Sequence, residues 1–309
     1  MAKFELKDIK GVIPAMLTVF DENEEIYEKG TRALVNYLVD SGVNGLYLTG
    51  STGEGFMMTP EERKRYVEIV VDENRGRVPL IVHVGAIGTK VSIDLAKHAE
   101  KVGADAISSV PPFYWNFKED NIFEYYKDIS ESVDLPMVVY NIALAGTMNL
   151  NFIYRLATLK NVRALKFTAT NHHAISYIKN KLGKDFIVYS GCDEMATSGL
   201  ISGADGIIGS FYNIVPDLFL EINSLVQKGD IKKAMERQIV AAEFIDVYLK
   251  YDFLAAMTQT LTLMGQVGGY SRRPFKNLNE ETWNKLLAEL SEFKKKFDVK
   301  GIKLFDYIK

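Results

Sequence analysis

The chain has 309 residues, of which 37 are basic and 40 acidic, giving a formal net charge of −3 at neutral pH. This near balance disfavours a nucleic-acid binder, which usually carries a basic patch, and no apolar run approaches the roughly 18 residues of a membrane span. The single cysteine, Cys192, excludes an internal disulfide framework. The polar residues 1–10 lack the apolar middle of a secretory signal. We therefore expect a cytoplasmic globular protein that binds neither nucleic acid nor membrane.

Short apolar runs recur along the chain, each followed by a turn and a longer amphipathic stretch. Continuous apolar runs are typical of strands buried on both faces, as in parallel sheets. The runs cover residues 12–18, 46–49, 80–84, 106–110, 137–140, 164–167, 186–190 and 206–208. Thr59, Pro60 and Glu62 predict the start of one intervening helix, with a capping box. Eight strand–helix units predict an α/β fold of the (β/α)₈ TIM barrel class. The alternative, a doubly wound sheet, is disfavoured because no glycine-rich dinucleotide motif follows the first run.

The pattern changes after Pro216, where no further strand-like run appears. Gly229 and Asp230 predict a helix stop followed by a new N-cap. The spacing of the next helix places one set of apolar residues on a single face: Ala234, Met235, Ile239, Ala242 and Ile245. A last helix near Asn279 presents Trp283, Leu286, Leu287, Leu290, Phe293 and Phe297. We predict a barrel with the active site over residues 1–228 and a C-terminal helical domain over 229–309, whose apolar stripes form packing or subunit contacts.

Two side chains at predicted strand ends stand out, because active sites of such barrels lie where the strands end. Lys166 closes a run with apolar neighbours on both sides. Burial disfavours the ammonium form of a lysine and frees the amine as a nucleophile toward a carbonyl. The alternative is a lysine that reaches solvent or pairs with a carboxylate. Tyr140 closes the preceding run, where a phenol beside an amine can relay protons; the alternative is a half-buried core tyrosine.

Two loops at the same end of the predicted barrel carry polar residues. In residues 50–55, Ser51 and Thr52 stand among glycines, so their hydroxyls and the backbone N–H groups can converge on an anion. The loop lacks the Gly-Lys-Ser/Thr ending of a P-loop, which favours a carboxylate over a triphosphate; the alternative is simply a tight loop. Asp193 and Glu194 follow the seventh run and favour a polyhydroxylated ligand over a phosphate. Alternatively they cap the next helix.

The remaining polar signals are weaker. The histidines His83, His98, His172 and His173 have no metal-ligand spacing, which disfavours a metal-dependent mechanism, although His83 at a strand end can line the barrel. The Arg-Arg-Pro sequence at 272–274 predicts a surface turn.

Taken together, these positions resemble the N-acetylneuraminate lyase/dihydrodipicolinate synthase family of class I aldolases, over nearly the whole chain. The segments that carry the resemblance are 50–54, 112–114, 140–142, 166–168 and 203–210. The resemblance implies a (β/α)₈ barrel with a C-terminal helical domain. It also implies a homotetramer, a 2-oxo acid substrate and no metal or organic cofactor.

The resemblance also implies roles for individual residues. Lys166 resembles the Schiff-base lysine that attacks the C2 carbonyl of a 2-oxo acid, and Tyr140 resembles the proton relay. Ser51 and Thr52 resemble the ligands of the substrate carboxylate. Tyr114 resembles a tyrosine that reaches toward the site of a neighbouring subunit.

The choice of branch within the family depends on fewer residues. In the synthase branch an arginine holds the carboxylate of the second substrate, and this chain has Leu144 at the expected place. The lyase branch binds the hydroxylated tail of sialic acid with a set of residues matched here by Thr168, Gly191, Asp193, Glu194 and Ser210. One departure is Ala143, where a proline is usual.

The resulting hypothesis is a class I aldolase that reversibly cleaves N-acetylneuraminate to pyruvate and N-acetylmannosamine. The alternatives are an aldolase for another 2-oxo-3-deoxy sugar acid, dihydrodipicolinate synthase, and a non-catalytic 2-oxo acid binder on the same scaffold.

Overall fold

A computed structural model describes residues 2–309, in which strands and helices alternate over the first three quarters of the chain. The strands are β1 (Gly11–Pro14), β2 (Leu46–Leu48), β3 (Leu80–His83), β4 (Ala106–Ser109), β5 (Met137–Ile142), β6 (Val162–Thr168), β7 (Ile187–Ser190) and β8 (Gly206–Gly209). The helices between them are α1 (Glu28–Asp40), α2 (Pro60–Asn74), α3 (Thr89–Val102), α4 (Glu119–Glu131), α5 (Leu150–Leu156), α6 (His173–Leu182), α7 (Ala196–Ile201) and α8 (Pro216–Gln227). Every predicted strand is present, with ends displaced by a few residues.

The strands form one parallel sheet that curls into a barrel. Its order runs from β2 through β8 to β1. The seam between β1 and β2 is closed by a parallel bridge between Ala15 and Tyr47, where the N–H of Met16 donates to the carbonyl of Tyr47 at 2.9 Å. The prediction of a (β/α)₈ barrel is confirmed. The first strand is shorter than predicted, because the N–H of Leu17 bonds to the side chain of Asn213 instead of a neighbouring strand.

Helix α2 begins where the sequence predicted. The hydroxyl of Thr59 accepts the N–H of Glu62 at 3.2 Å, and the carboxylate of Glu62 accepts the N–H of Thr59 at 2.7 Å. This capping box satisfies two N–H groups that a helix start otherwise leaves unpaired. It fixes the end of the loop that joins β2 to α2.

The sheet separates two apolar cores. Alternate residues of a strand point to opposite faces, so Val139 of β5 packs outward against the helices and Val138 packs into the barrel. Tyr140 shares the inward parity of Val138, and Lys166 shares that of Ala164 on β6. The same period-two alternation therefore directs both predicted catalytic side chains into the barrel interior.

Three further helices follow the barrel: α9 (Ile231–Tyr248), α10 (Phe253–Leu263) and α11 (Glu280–Lys296). Asp230 caps α9 by accepting the N–H of Lys233, as predicted, and α11 starts at the predicted place, where Asn279 accepts the N–H of Thr282. Their apolar side chains join the outer core of the barrel. The division at residue 228 into two domains stays a prediction. None of the helices within residues 2–309 is both long enough and apolar enough to cross a membrane.

The apolar face predicted for α9 is only partly buried within the chain. Ala234 and Ile245 are buried, but Met235 and Ile239 are 44% and 54% exposed. The buried face of α9 is rotated from the predicted one, because it includes the polar Gln238. The side-chain amide of Gln238 accepts the N–H of Thr197 at 2.8 Å and donates to the carbonyl of Asp193 at 3.1 Å. Helix α9 therefore supports the loop that follows β7. The predicted stripe of α11 is confirmed, with Leu286, Leu290 and Phe293 buried.

Candidate active site

Lys166 lies at the centre of the candidate site, near the C-terminal end of β6. It pairs with Tyr140 on β5 and with Tyr189 on β7, and only 4% of its surface is exposed. Its amine lies against aromatic rings and forms no ion pair with a carboxylate of residues 2–309. The structure therefore contradicts both alternatives named for Lys166, a side chain that reaches solvent and an ion pair with a carboxylate.

Two aromatic rings lie against the lysine amine, and a third aromatic side chain lies beside them. The Nζ atom lies 4.1 Å from the ring centroid of Tyr140 and 4.5 Å from that of Tyr47. His83, at the end of β3, is the third aromatic side chain; its ring is edge-on to that of Tyr140, with the two ring centroids 6.3 Å apart. Burial, with the nearby charge of Arg63, lowers the pKa of His83 well below 6.5, so the imidazole stays neutral.

Hydrogen bonds fix the tautomer of His83. Its Nε2 atom accepts the N–H of Val110 at 3.2 Å, so the ring proton resides on Nδ1, which has no partner within the protein. The carbonyl of the same residue accepts from Arg63 at 2.6 Å and from Thr49 at 2.7 Å. The histidine is thus held rigidly at the barrel end.

The loop of residues 50–55 packs tightly onto the end of β2. A Cβ atom at Gly55 would lie 2.0 Å from the carbonyl oxygen of Thr49, so only glycine fits there. The hydroxyl of Thr52 lies 2.7 Å from that of Ser210, which follows β8, and Ser51 is half-buried beside it. The structure thus brings together the predicted carboxylate ligands and the hydroxyl predicted to bind the sugar tail.

Glu54, in the same loop, joins the barrel to the C-terminal part of the chain. Its side chain is almost fully buried, and Oε2 accepts the N–H of Arg272 at 2.8 Å while Oε1 has no partner. Burial raises the pKa of Glu54 to about 7. The guanidinium of Arg272 binds both carboxylate oxygens of Glu62 and stacks 4.3 Å from the ring of Phe20. The predicted surface turn at 272–274 is therefore wrong for Arg272, which anchors this loop.

Thr168 and Gly191 lie in contact beside the lysine. A Cβ atom at Gly191 would lie 1.9 Å from Oγ1 of Thr168 and 3.2 Å from Cε of Lys166. Oγ1 of Thr168 is buried and has no hydrogen-bond partner within the protein. A buried hydroxyl without a partner loses stabilising hydrogen bonds, so this atom is well suited to bind a substrate hydroxyl.

The two acids after β7 have different environments. Asp193 is buried, and its Oδ2 atom accepts the N–H groups of Ser210 and Phe211 at 2.8 and 2.9 Å. Burial raises the pKa of Asp193 to about 7. One of its oxygens is thus committed to holding the loop after β8, while Glu194 faces solvent. That both acids bind substrate stays a prediction.

A cavity of about 250 Å³ opens beside Ser51. Its polar wall consists of Ser51 and Glu54, and the remainder is apolar, including Phe56, Phe113 and Leu144. None of the described residues that line it is basic. The cavity therefore offers no charged partner for a second substrate carboxylate.

Next to this cavity, the loop after β4 presents Tyr114 to solvent. Its side chain is 83% exposed, and its backbone has a φ of 81°, which is rare for a tyrosine. Trp115 packs edge-on against it at 4.8 Å and is 61% exposed. Large aromatic side chains exposed together are typical of interaction surfaces.

Comparison with known proteins decides the family. The model of the dihydrodipicolinate synthetase family matches residues 8–293. The chain belongs to that family. The N-acetylneuraminate lyase of Citrobacter koseri is 39% identical over 286 residues, covering 91% of this chain and 96% of that protein.

Solved structures of similar proteins support the same family. CdNal of Clostridium difficile, crystallised in complex with mannosamine, has a TM-score of 0.89 and 33% identity, covering 94% of this chain and 99% of that one. A catalytic lysine mutant of the Ruminococcus gnavus sialic acid aldolase has a TM-score of 0.89 and 31% identity, covering 96% and 100% of the two chains.

The sequence predicts most of the residues that the structure brings together at this end of the barrel, but it does not indicate the places of three others. Tyr47 has no local sign of function, because it is a tyrosine inside an apolar run. The sequence indicates Glu54 only as part of a loop and predicts Arg272 at the surface. The residues next to Arg272 in the sequence do not indicate that it is buried, because its partners Glu54 and Glu62 lie about two thirds of the chain length away. Among residues 2–309, no three His, Cys, Asp or Glu side chains come together as a metal site.

Proposed function

We propose that this protein is a Schiff-base aldolase that reversibly cleaves N-acetylneuraminate to pyruvate and N-acetylmannosamine. The observation that carries the proposal is the buried amine of Lys166, unpaired with any described carboxylate, at the end of a barrel strand. A lysine amine that has lost its proton attacks a ketone as a nucleophile, and no carboxylate among the described residues holds this one as an ammonium ion. The likeness to N-acetylneuraminate lyases supports the choice of substrate.

The chemistry follows from the arrangement of groups. The amine of Lys166 adds to the C2 carbonyl of the open-chain substrate, and the carbonyl oxygen leaves as water, which produces an iminium ion. Tyr140 accepts the proton of the C4 hydroxyl while its own phenolic proton passes to the substrate carboxylate, the C3–C4 bond breaks, and the electron pair of that bond moves to the iminium to form an enamine. The aldehyde sugar then leaves. Protonation at C3 and hydrolysis release pyruvate and restore the amine.

The binding residues are assigned by their positions. We propose that Ser51 and Thr52 hold the substrate carboxylate, since their loop lies at the barrel end and carries N–H and hydroxyl groups that can donate to an anion. We assign Thr168, Gly191, Asp193, Glu194 and Ser210 to the hydroxylated tail. The unpartnered hydroxyl of Thr168 is the strongest support for that assignment.

We further propose that the chain acts as a homotetramer in the cytoplasm. The exposed Tyr114, with its strained backbone, would then insert into the site of a neighbouring subunit. The single cysteine is compatible with a reducing compartment.

The decisive experiment is borohydride trapping with pyruvate. The wild-type chain should gain one reduced pyruvate adduct, located on the peptide containing Lys166. Lys166→Ala should gain none, and Lys160→Ala, which removes an exposed lysine just before β6, should behave as wild type. An adduct that persists in Lys166→Ala would refute the mechanism.

Turnover assays distinguish among the aldolase, synthase and binder functions. Pyruvate release is measured from N-acetylneuraminate and from a panel of other 2-oxo-3-deoxy sugar acids. We expect N-acetylneuraminate to be cleaved with the highest kcat/KM. Trapping without cleavage of any sugar acid would indicate a binder, and condensation of pyruvate with aspartate semialdehyde would indicate the synthase reaction.

A further inference from the structure

We propose that Tyr47 is a further catalytic residue, whose ring face stabilises the positive charge that forms on the nitrogen of Lys166. This inference rests on the proposed Schiff-base mechanism and adds a second aromatic group to it. Tyr47 contacts the reacting nitrogen directly, because the ring centroid lies 4.5 Å from Nζ.

The geometry places the amine in a corner between two rings. The rings of Tyr47 and Tyr140 meet at an angle of 84°, with their centroids 6.2 Å apart. Both ring faces lie within the roughly 6 Å at which an aromatic ring attracts a cation. Tyr47 is 1% exposed and Lys166 is 4% exposed, so little water screens the attraction.

The hydroxyl of Tyr47 is engaged in a hydrogen bond, so only its ring is available to stabilise the cation. The hydroxyl of Ser108 donates to the carbonyl of Val138 at 2.9 Å and therefore accepts the proton of the Tyr47 hydroxyl, 3.0 Å away. Burial raises the pKa of Tyr47 well above 10, so the phenol stays neutral. Its hydroxyl is directed into the strands, which separates its role from proton transfer by Tyr140.

The reaction needs such a group because it creates charge. A neutral amine and a neutral ketone give water and an iminium ion with one positive charge, after one proton has been taken up. The neighbouring His83 is neutral, and Oδ2 of Asp193 is engaged by two backbone N–H groups. The electron-rich ring faces of Tyr47 and Tyr140 thus complement the substrate carboxylate in stabilising the cation.

The test varies the electron density of the ring at constant shape. Tyr47→Phe is the reference, and phenylalanines carrying one, two and three fluorine atoms are then incorporated at position 47. We expect the yield of the reduced pyruvate adduct at limiting pyruvate, and kcat, to fall steadily with each fluorine. The total loss should be about tenfold, as for a desolvated cation–π contact. The same series at Tyr66, buried in the outer core with its hydroxyl on the carbonyl of Leu17, is the control and should show no trend.

Each outcome is decisive. A flat response at position 47 with normal trapping would overturn the role of Tyr47 and leave the proposed function intact. A wild-type chain that traps no pyruvate would refute the proposed function itself. Thermal unfolding is measured for each variant, and if Tyr47→Phe does not fold, ring-fluorinated tyrosines at position 47 keep the hydroxyl and give the same comparison.

Discussion

Substitution of Gly191 by alanine tests whether close packing positions the lysine. The added Cβ would lie 1.9 Å from Oγ1 of Thr168 and 3.2 Å from Cε of Lys166. The first distance is far below any non-bonded contact, so the Thr168 side chain must move, and the second requires the end of Lys166 to shift by a few tenths of an ångström. Misplacement of groups around a reacting centre by about 1 Å can lower the rate by about 10²-fold. We expect a loss of kcat of that order, while overpacking costs about 1–3 kcal/mol of stability.

The assay for Gly191→Ala is pyruvate release, accompanied by borohydride trapping and thermal unfolding. Gly88→Ala is the matched control, because Gly88 has an ordinary φ of −95° and no atom within 4 Å of the new Cβ. A second substitution, Thr168→Ala, removes the closest clash and should restore part of the trapping lost in Gly191→Ala, since contacting residues show coupled effects. A wild-type kcat in Gly191→Ala would show that close packing at Gly191 does not position Lys166.

Two further predictions concern the loop after β2 and the subunit contact. Because burial raises the pKa of Glu54 to about 7, the folded chain holds more protons than the unfolded chain between pH 4.5 and 7, so stability decreases as pH rises through that window. Glu54→Gln keeps an oxygen for the N–H of Arg272 and should reduce this decrease by about 2 kcal/mol, measured by urea unfolding at pH 5 and pH 8; an unchanged decrease would exclude Glu54 as its source. If Tyr114 acts across subunits, mixed oligomers of inactive Lys166→Ala and Tyr114→Ala chains should regain activity; mixtures no more active than their separate components would contradict that role.

The barrel and the buried position of Lys166 could be predicted because their signals are local. A strand buried on both faces must be apolar along its whole length, so each run marks a strand without knowledge of its neighbours. Lys166 can be recognised from the same local pattern, because it is a charged residue at the end of an apolar run. The cap at Thr59 was predictable because it involves only residues three positions apart.

Other features depend on which distant segments meet. Asp193 follows the expected pattern, yet one of its oxygens is occupied by the N–H groups of Ser210 and Phe211, a contact that exists only because β7 and β8 lie side by side. Met235 and Ile239 have helical spacing suited to burial, but the orientation of α9 follows from Gln238 binding Thr197 and leaves them exposed.

The order of strands and helices, the barrel class and the position of the predicted nucleophile Lys166 can be recognised from the sequence alone, because apolar periodicity and a charge within an apolar run are visible within a few residues. The surroundings of Lys166 follow only from the folded structure. Tyr47 reaches Lys166 from across the barrel, and Arg272 reaches Glu54 from the C-terminal segment. The reason is physical: closing the barrel places β2 and β6 around one interior, and no local pattern specifies which of their side chains will touch there.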